Sequence, residues 1–391
     1  MISSFSSPTP DVSANPRPIR VLFVSSTMGG GSGRSQRELS AALNDAGAET
    51  MMLVDNSAGY SVTRFLHEQL WDASVRFENT PVLGGSASWL RSLPGRTPIQ
   101  TAGDLLVSPA PENAFPDLAG SFCPDVVVGS SIERPTWRQI RATCDQLSIP
   151  TVLYMREETS LRHLHKTNGT HTAVLANSKT LVDNAARLGV NATFVPSIVD
   201  LAAAKTTSSR ERIVLVNPRK EHGVMVVPDL ARSFPTIEFV LQESWPLTNT
   251  ERSTVDEILA THQNVWFRSR KKTPAEVLSD AAIVIAPHLI DNRPRTILEA
   301  HSNGIPVIAS DLPGLVESVG PGGLIVDSSA GARGWRDAVE SMTQDPAMYR
   351  RLEYQARAFS SRAEVQVDRV IESFLTCMAE AMAQRRELVA I

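Results

Sequence analysis

Two carboxylates, Asp291 and Glu299, are separated by seven residues in a segment that reads as a strand, a turn and a helix. The apolar run Ala281–Ala286 predicts a strand that is buried on both faces. Pro287 cannot donate to a sheet and should end that strand. Pro294 suits the first position of a helix, which places Glu299 ~7.5 Å along the helix axis. Both acids are therefore expected near one turn at the end of a buried strand.

This turn is predicted to lie at an edge of the sheet that suits a ligand. Open α/β sheets bind ligands beyond the carboxyl ends of their strands. A helix N-terminus favours anions, and carboxylates accept hydrogen bonds from hydroxyls. The pair therefore fits a sugar nucleotide, with hydroxyls for Asp291 and Glu299 and a diphosphate for the helix end. Taken alone, Asp291 could instead be a turn-forming residue, and Glu299 could be a solvated residue on the helix surface.

The whole segment resembles the donor site of a known enzyme family. Residues 299–317 read EAHSNGIPVIASDLPGLVE, close to the pattern EAxxxGxPVIASDxxGLxE. That pattern follows a Glu-x7-Glu pair in the retaining nucleotide-sugar glycosyltransferases that include sucrose synthase and phosphatidylinositol mannosyltransferase. Here Asp291 replaces the first Glu. The resemblance implies an α/β fold with two Rossmann-like domains facing across a cleft, the GT-B architecture.

The resemblance also implies roles for individual residues. Glu299 would bind the ribose hydroxyls and Asp291 the sugar hydroxyls of the donor. The resemblance further implies a nucleotide-sugar site that includes Gly30, Gly31, Asn292, Arg295 and Leu315. No metal is expected, because side-chain cations could balance the charge of the leaving diphosphate.

Two cations follow a second predicted strand, Arg212–Val216. Arg219 and Lys220 lie in the turn NPRKEHG and are predicted to hold the diphosphate. The family usually has Gly-Arg, a short spacer and Lys-Gly, whereas His222 stands at the position of that Lys. A solvated loop is the alternative for Lys220.

Glycines follow the first predicted strand, IRVLFVSS, in the segment TMGGGSG. We expect a turn there, because glycine permits close backbone approach and positive φ. In the family this loop faces the donor across the cleft. The segment lacks the Lys-Ser/Thr of a P-loop and the GxGxxG pattern.

Arg156 comes directly after the predicted strand Thr151–Met155, where many family members have a His near the sugar. Either Arg156 contacts donor or acceptor, or the departure from the family's His alters the activity. His163 and His165 are two residues apart on a probable helix, so their side chains diverge and form a poor metal pair.

The composition limits the function classes. The chain has 391 residues, 42% apolar content and a net charge of −4, without a basic run that would suggest nucleic acid. Three cysteines lack metal-ligand spacing and fit a reducing compartment. No apolar run reaches membrane-spanning length. We therefore expect a cytoplasmic protein, and peripheral membrane contact stays open.

Four segments are predicted along the chain. Residues 1–17 form a disordered tail, 18–197 an acceptor domain, 198–360 a donor domain, and 361–391 a helix that packs back onto the first domain. Residues 71–120 show weak periodicity and are not assigned.

The predicted function is transfer of a sugar, with retention, from a nucleotide-diphospho-sugar to an acceptor. The alternatives are an epimerase or phosphorylase on the same fold, or a non-catalytic nucleotide-sugar-binding protein. The sequence does not name the sugar, the base, the acceptor or the oligomeric state.

Overall fold

The computed structural model describes residues 17–25, 30–55, 99–102, 104–108, 111–132, 134–165 and 171–389. These residues form two separate β-sheets. The first contains β1 to β8: Arg20–Ser25, Glu49–Asp55, Ile99–Ala102, Leu105–Ser108, Val126–Ser130, Thr151–Met155, Ala173–Ala176 and Thr193–Phe194. The second contains β9 to β14: Arg212–Val216, Glu238–Gln242, Val265–Arg268, Ala281–Ala286, Val307–Ser310 and Gly323–Val326.

Helices connect these strands and cover the sheets. In the first half of the chain they are α1 to α5: Gly30–Asp45, Pro111–Phe122, Arg134–Gln146, Arg162–His165 and Lys179–Arg187. The remaining helices are α6 to α14: Leu201–Ala204, Val227–Ser233, Asn249–Thr261, Pro274–Leu278, Arg295–Ser302, Pro313–Val319, Gly331–Gln344, Pro346–Ser360 and Val367–Val389.

Both sheets have the strand order of doubly wound folds. The first runs β3-β4-β2-β1-β5-β6-β7-β8, and all its described pairs are parallel except β3 with β4. The second runs β11-β10-β9-β12-β13-β14 and is parallel throughout its described pairs. In each sheet the order reverses beside the first strand, β1 or β9, so the ligand-binding edge lies there.

Each sheet is buried on both faces, as continuous apolar strands require. In β1, Val21 and Phe23 belong to one core cluster, whereas Leu22 and Val24 belong to the cluster on the opposite face. In β12 the same alternation separates Ile283 from Val284.

The last helix returns to the first domain. Val370, Phe374 and Met378 of α14 are buried in the core cluster of the first sheet. The rings of Phe374 and Phe23 lie 6.0 Å apart between centroids. This confirms the predicted fold class, two Rossmann-like α/β domains with a terminal helix that crosses back.

Two local predictions are wrong. The glycines from Gly30 to Gly33 form the first turn of α1 and not a separate turn, because the helix begins at Gly30. Pro294 is the N-cap of α10 with ψ 128°, so the helix begins one residue later, at Arg295. Glu299 is nevertheless in the second turn, as expected.

Some predictions lie outside the described residues or stay untested. The predicted disordered tail covers residues 1–17, of which only Arg17 is described. Most of the unassigned segment, residues 71–120, also lies outside the described residues. The boundaries 18–197, 198–360 and 361–391 stay predictions. No helix in the described ranges is long and apolar enough to cross a membrane.

Candidate functional site

A cavity of about 240 Å³ lies between the two domains at the carboxyl edges of their sheets. The N-terminal domain and the adjoining linker contribute Gly31, Ser32, Arg34, Ser35, Arg156, Glu157, Asn177 and Ser197. The C-terminal domain contributes Val216, Asn217, His222, Ser244, Trp245, Val284, Ile285, Ala286, His288, Asn292, Arg293, Pro294, Arg295, Thr296, Ile297 and Glu299. The lining includes four arginines and two glutamates beside its apolar surface.

Glu299 lines this cavity and is buried, at 6% exposure. It lies one helical turn after Arg295, and Arg295 Nη2 is 3.6 Å from Glu299 Oε1. Burial raises the pKa of Glu299, and the charge of Arg295 opposes that shift. Glu299 is therefore not a solvated helix residue, and its carboxylate is available to a ligand in the cavity.

Arg295 also connects the two domains. Its Nη2 lies 2.7 Å from Glu38 Oε2 in α1, and its Nη1 donates to Ser35 Oγ at 2.8 Å. The same nitrogen donates to the carbonyl of Ile198 at 3.2 Å. The guanidinium of Arg295 therefore spans the cleft between Glu299 and Glu38.

Asp291 does not line the cavity and instead holds the loop before α10. Its Oδ1 accepts a hydrogen bond from the Gly314 N–H at 2.8 Å. A Cβ at Gly314 would lie 2.6 Å from the carbonyl oxygen of Asn292, so only glycine permits this approach. Burial raises the pKa of Asp291, and the Gly314 hydrogen bond partly opposes the shift. Its predicted sugar contact stays a prediction.

A second connection between the domains lies beside this loop. Arg293 Nη1 donates to the carbonyl of Asn177 at 2.6 Å, and its Nη2 lies 3.7 Å from Glu317. Glu317 Oε2 in turn accepts from the N–H of Lys179, the first residue of α5. A carboxylate at a helix N-terminus is favourable, so Glu317 stabilises the contact between α11 and α5.

Arg156 lines the cavity from the N-terminal domain and is 6% exposed. Its Nη2 donates to Ser197 Oγ at 2.8 Å, and its guanidinium lies 5.0 Å from the centroid of the Tyr154 ring. Among the described residues, its Nη1 has no hydrogen-bond partner and no carboxylate pairs with it. Burial lowers the pKa of Arg156. Glu157 and Glu38 partly oppose that shift without forming an ion pair with Arg156. A buried charge that lacks a direct ion pair is costly, so this side chain is suited to an anionic ligand.

The loop after β9 carries two cavity residues, Asn217 and His222. Asn217 adopts φ 59°, and its Oδ1 accepts from the N–H groups of Ser244 and Trp245. Gly223 has φ 73°, and a Cβ there would lie only 1.8 Å from the Pro287 carbonyl oxygen. This loop is therefore locked against the loop that follows β12.

Three aromatic rings meet where these loops touch. The rings of His222 and His288 are stacked, with centroids 4.5 Å apart and an interplanar angle of 15°. Trp245 packs edge-on against His222 at 5.7 Å. Burial lowers the pKa of both histidines, and that of His288 falls to about 4. Both rings are therefore neutral at physiological pH.

The structure does not bring Arg219 and Lys220 into the cavity lining. Arg219 Nε pairs with Glu251 Oε1 at 2.5 Å and with Glu221 at 3.3 Å, and Lys220 is exposed. Two carboxylates thus already neutralise Arg219. The predicted contact of Arg219 and Lys220 with the diphosphate stays a prediction.

The other predicted residues divide between cavity and core. Asn292 and Arg295 line the cavity, and so does Gly31, whose Cα faces Arg295. Gly30 is the first residue of α1, and its predicted contact with the donor stays a prediction. Leu315 is fully buried in the core of the C-terminal domain and does not line the cavity.

Sequence reasoning missed several lining residues, notably Asn217, Trp245 and His288. Each follows the carboxyl end of a strand: β9, β10 and β12 respectively. The rule that ligands bind at this edge could have identified them. Their mutual contacts depend on how neighbouring loops pack, which spacing along the chain does not show.

Comparison with known structures defines the class of this protein as GT-B. The sucrose-phosphate synthase of Thermosynechococcus elongatus superposes with a TM-score of 0.69 at 15% identity, over 93% of this chain and 99% of that one. Anabaena HepE, crystallised with UDP and glucose, superposes with a TM-score of 0.67 at 15% identity, over 92% of this chain and 99% of HepE. The pneumococcal O-GlcNAc transferase GtfA, in complex with UDP and GlcNAc, superposes with a TM-score of 0.67 at 8% identity, over 93% of this chain and 99% of GtfA.

Part of the C-terminal domain is similar to a known family. Residues 223–359 match the model of the Glycosyl transferases group 1 family, and this range includes Asp291 and Glu299. No curated protein matches the sequence. The chain therefore has the GT-B fold, and residues 223–359 are similar to the Glycosyl transferases group 1 family, as the sequence resemblance predicted.

Proposed function

We propose that this protein transfers a sugar, with retention of anomeric configuration, from a nucleotide-diphospho-sugar to an acceptor. The observation that carries the proposal is the position of Glu299. It is a buried carboxylate in a cavity that both domains line, beside the N-terminus of α10, within the group 1 glycosyltransferase domain. A carboxylate for hydroxyls and a helix end for phosphate suit a nucleotide sugar.

In this proposal the donor is held by groups from both domains. Glu299 binds the ribose hydroxyls, and Asn292 and the N-terminus of α10 lie beside the diphosphate. Arg156 approaches from the N-terminal domain and balances the negative charge that develops on the leaving diphosphate. Arg156 thus takes the role that the sequence assigned to Arg219 and Lys220. Asp291 contacts the transferred sugar once the donor is bound.

Retention is favoured by the acids of the cavity. Among the described lining residues the carboxylates are Glu157, which is exposed, and Glu299, which is paired with Arg295. Neither is placed as a separate general base. In retaining enzymes of the resembled family, the leaving phosphate is thought to deprotonate the acceptor on the same face of the sugar. We propose the same here, without a metal and in the cytoplasm.

Two alternative functions on this fold can be distinguished by the same experiments. An epimerase or phosphorylase would act without an acceptor or would require phosphate. A non-catalytic nucleotide-sugar-binding protein would bind the donor and never release nucleoside diphosphate. The tight Arg219–Glu251 pair, which leaves that cation outside the cavity, is the observation that favours the binding protein.

The proposal is tested by donor binding followed by turnover. Thermal shift with UDP-glucose, GDP-mannose, ADP-glucose and TDP-glucose should show stabilisation by one class of base, because a bound ligand stabilises by RT ln(1 + [L]/Kd). UDP-glucose is the first donor to test, since HepE has been crystallised with it. That donor should then release nucleoside diphosphate slowly in water, also in the presence of EDTA. Binding without any release would favour the non-catalytic alternative.

A further inference from the structure

The stacked pair of His222 and His288 forms part of the cavity wall at the point where two loops interlock. Both rings are 7% exposed, and both residues line the cavity. The Glu221 carbonyl accepts from the Leu289 N–H at 2.9 Å, and Gly223 touches Pro287. The second loop leads through Asn292 into the N-terminus of α10. The pair is therefore fixed next to the part of the cavity that favours an anion.

Hydrogen bonds define the protonation of each ring. His222 Nδ1 lies 3.1 Å from the carbonyl oxygen of Asn217, which can only accept, so the proton is on Nδ1. His288 Nδ1 donates likewise to Asn292 Oδ1 at 2.8 Å. In the neutral form, Nε2 of each ring then carries a lone pair and no proton. A phosphate oxygen also only accepts, so neutral His222 cannot donate to it through Nε2.

The surroundings keep the pair neutral in the absence of a ligand. Two imidazolium rings stacked at 4.5 Å would repel each other, so at most one can be charged. The positive charge of Arg219 opposes protonation of His222, whereas the negative charge of Glu251 on α8 favours it. The negative charge of Glu221 favours protonation of His288. The remaining ionisable groups of the lining are Arg34, Arg156, Glu157, Arg293, Arg295 and Glu299.

We propose that His222 takes up one proton from solvent when the donor diphosphate enters the cavity, and that the resulting Nε2–H donates to a phosphate oxygen. His288 stays neutral and stacks on the imidazolium. This inference rests on the proposed function, because the diphosphate belongs to the donor. It makes His222 a ligand-binding residue whose charge is created by the ligand.

The sign of the pH dependence follows from linkage. An anion beside His222 raises its pKa in the complex above the lowered pKa of the free protein, so the complex binds more protons. Donor affinity therefore increases as the pH falls between these two pKa values, by up to about tenfold per pH unit. Above the pKa of the complex the affinity is low and constant.

The test measures donor affinity by calorimetry from pH 5.5 to 8.5, with UDP-glucose or the donor that stabilises the protein in the panel. A nucleotide sugar is chosen because, unlike a free nucleoside diphosphate, it has no phosphate group that titrates near pH 6. At one pH within the sloping range, titrations in two buffers of different ionisation enthalpy give the number of protons bound. We expect nearly one proton for the parent protein.

Three variants identify the group that binds the proton. His222→Lys supplies a permanent cation, so affinity should be high at pH 8.5 and independent of pH, without proton uptake. His222→Gln stays neutral and should bind weakly at every pH. His288→Phe keeps a stacked ring and removes the other ionisable group of the pair, so the pH slope and the uptake of one proton should both persist.

The outcomes separate this inference from the proposed function. Donor binding with no pH dependence, or a parental slope that persists in His222→Gln, would contradict the role of His222 and leave the proposed function intact. Absence of binding by every nucleotide sugar at every pH would contradict the proposed function itself.

Discussion

Arg295, at the start of α10, lies 2.7 Å from Glu38 in α1, so the helix that carries Glu299 is tied directly to the opposite domain. The side chains of Arg295 and Glu38 are only 8% and 18% exposed, which limits screening by solvent. The donor site and the domain contact therefore share one guanidinium. A change in the site is expected to alter the cleft, and opening of the cleft is expected to alter the site.

Glu299→Gln should lower donor affinity by about tenfold or more and leave the fold intact. A hydrogen bond with a charged partner contributes about 1.5–3 kcal/mol, which corresponds to that factor. Burial raises the pKa of Glu299, so ionisation above the unfolded-state pKa costs stability, and stability falls as pH rises. The melting temperature of Glu299→Gln at pH 7 should therefore not fall. Calorimetry checks the affinity, and a parental Kd would remove Glu299 from the site.

Asp291 can be tested for charge and position separately. Asp291→Asn keeps an oxygen that accepts from the Gly314 N–H, so the melting temperature should be preserved while kcat falls because the charge beside the sugar is lost. Gly314→Ala is the matched control, since its Cβ would displace the 291–292 loop without changing charge. It should lower stability as well as kcat. Parental kcat in Asp291→Asn would limit this residue to positioning the loop.

Arg156→Met should stabilise the ligand-free protein and abolish donor binding. The neutral side chain has a similar shape and removes a buried charge that has no carboxylate partner in the described part of the chain. Arg141→Met is the control, because Arg141 is also a buried arginine but does not line the cavity. Thermal melting and donor titration give the two readouts. A lower melting temperature with normal donor binding in Arg156→Met would show that Arg156 stabilises the fold and does not bind the donor.

The double variant Glu38→Gln, Glu317→Gln should open the cleft. It removes the negative charge that faces Arg295 from α1, and the negative charge of Glu317 that faces Arg293 and the N-terminus of α5. The cavity of about 240 Å³ is below the 300–1,000 Å³ typical of ligand pockets, so we expect the domains to separate for entry. Small-angle scattering should show a larger radius of gyration for the ligand-free variant than for the parent. Identical profiles would mean that other contacts hold the domains together.

The sequence predicted the elements better than the contacts of the site. The strands Thr151–Met155, Arg212–Val216 and Ala281–Ala286 begin and end as predicted, because apolar runs between turn residues define buried parallel strands. A turn was predicted for the glycines that begin α1 because glycine permits positive φ and close backbone approach, but glycine can also adopt the helical conformation that the structure shows. That error follows from local propensity alone.

Site roles depended on partners that are distant in sequence. Arg219 was chosen for its charge and its place in a turn, but Glu251 on α8, which is 32 residues later in the chain, pairs with it. Arg156 and Lys220 are both cations that follow a strand, yet Arg156 is buried in the cavity wall and Lys220 is exposed. Only the packed structure distinguishes a cation with a partner from one without.

The stereochemistry of donor turnover tests the central proposal most directly. The protein is incubated with an α-linked nucleotide sugar, and proton NMR follows the first sugar released, before mutarotation. We predict release of nucleoside diphosphate together with the α-anomer, at a rate that falls sharply in Arg156→Met. Initial release of the β-anomer would contradict retention, and absence of release from every donor that binds would contradict glycosyl transfer.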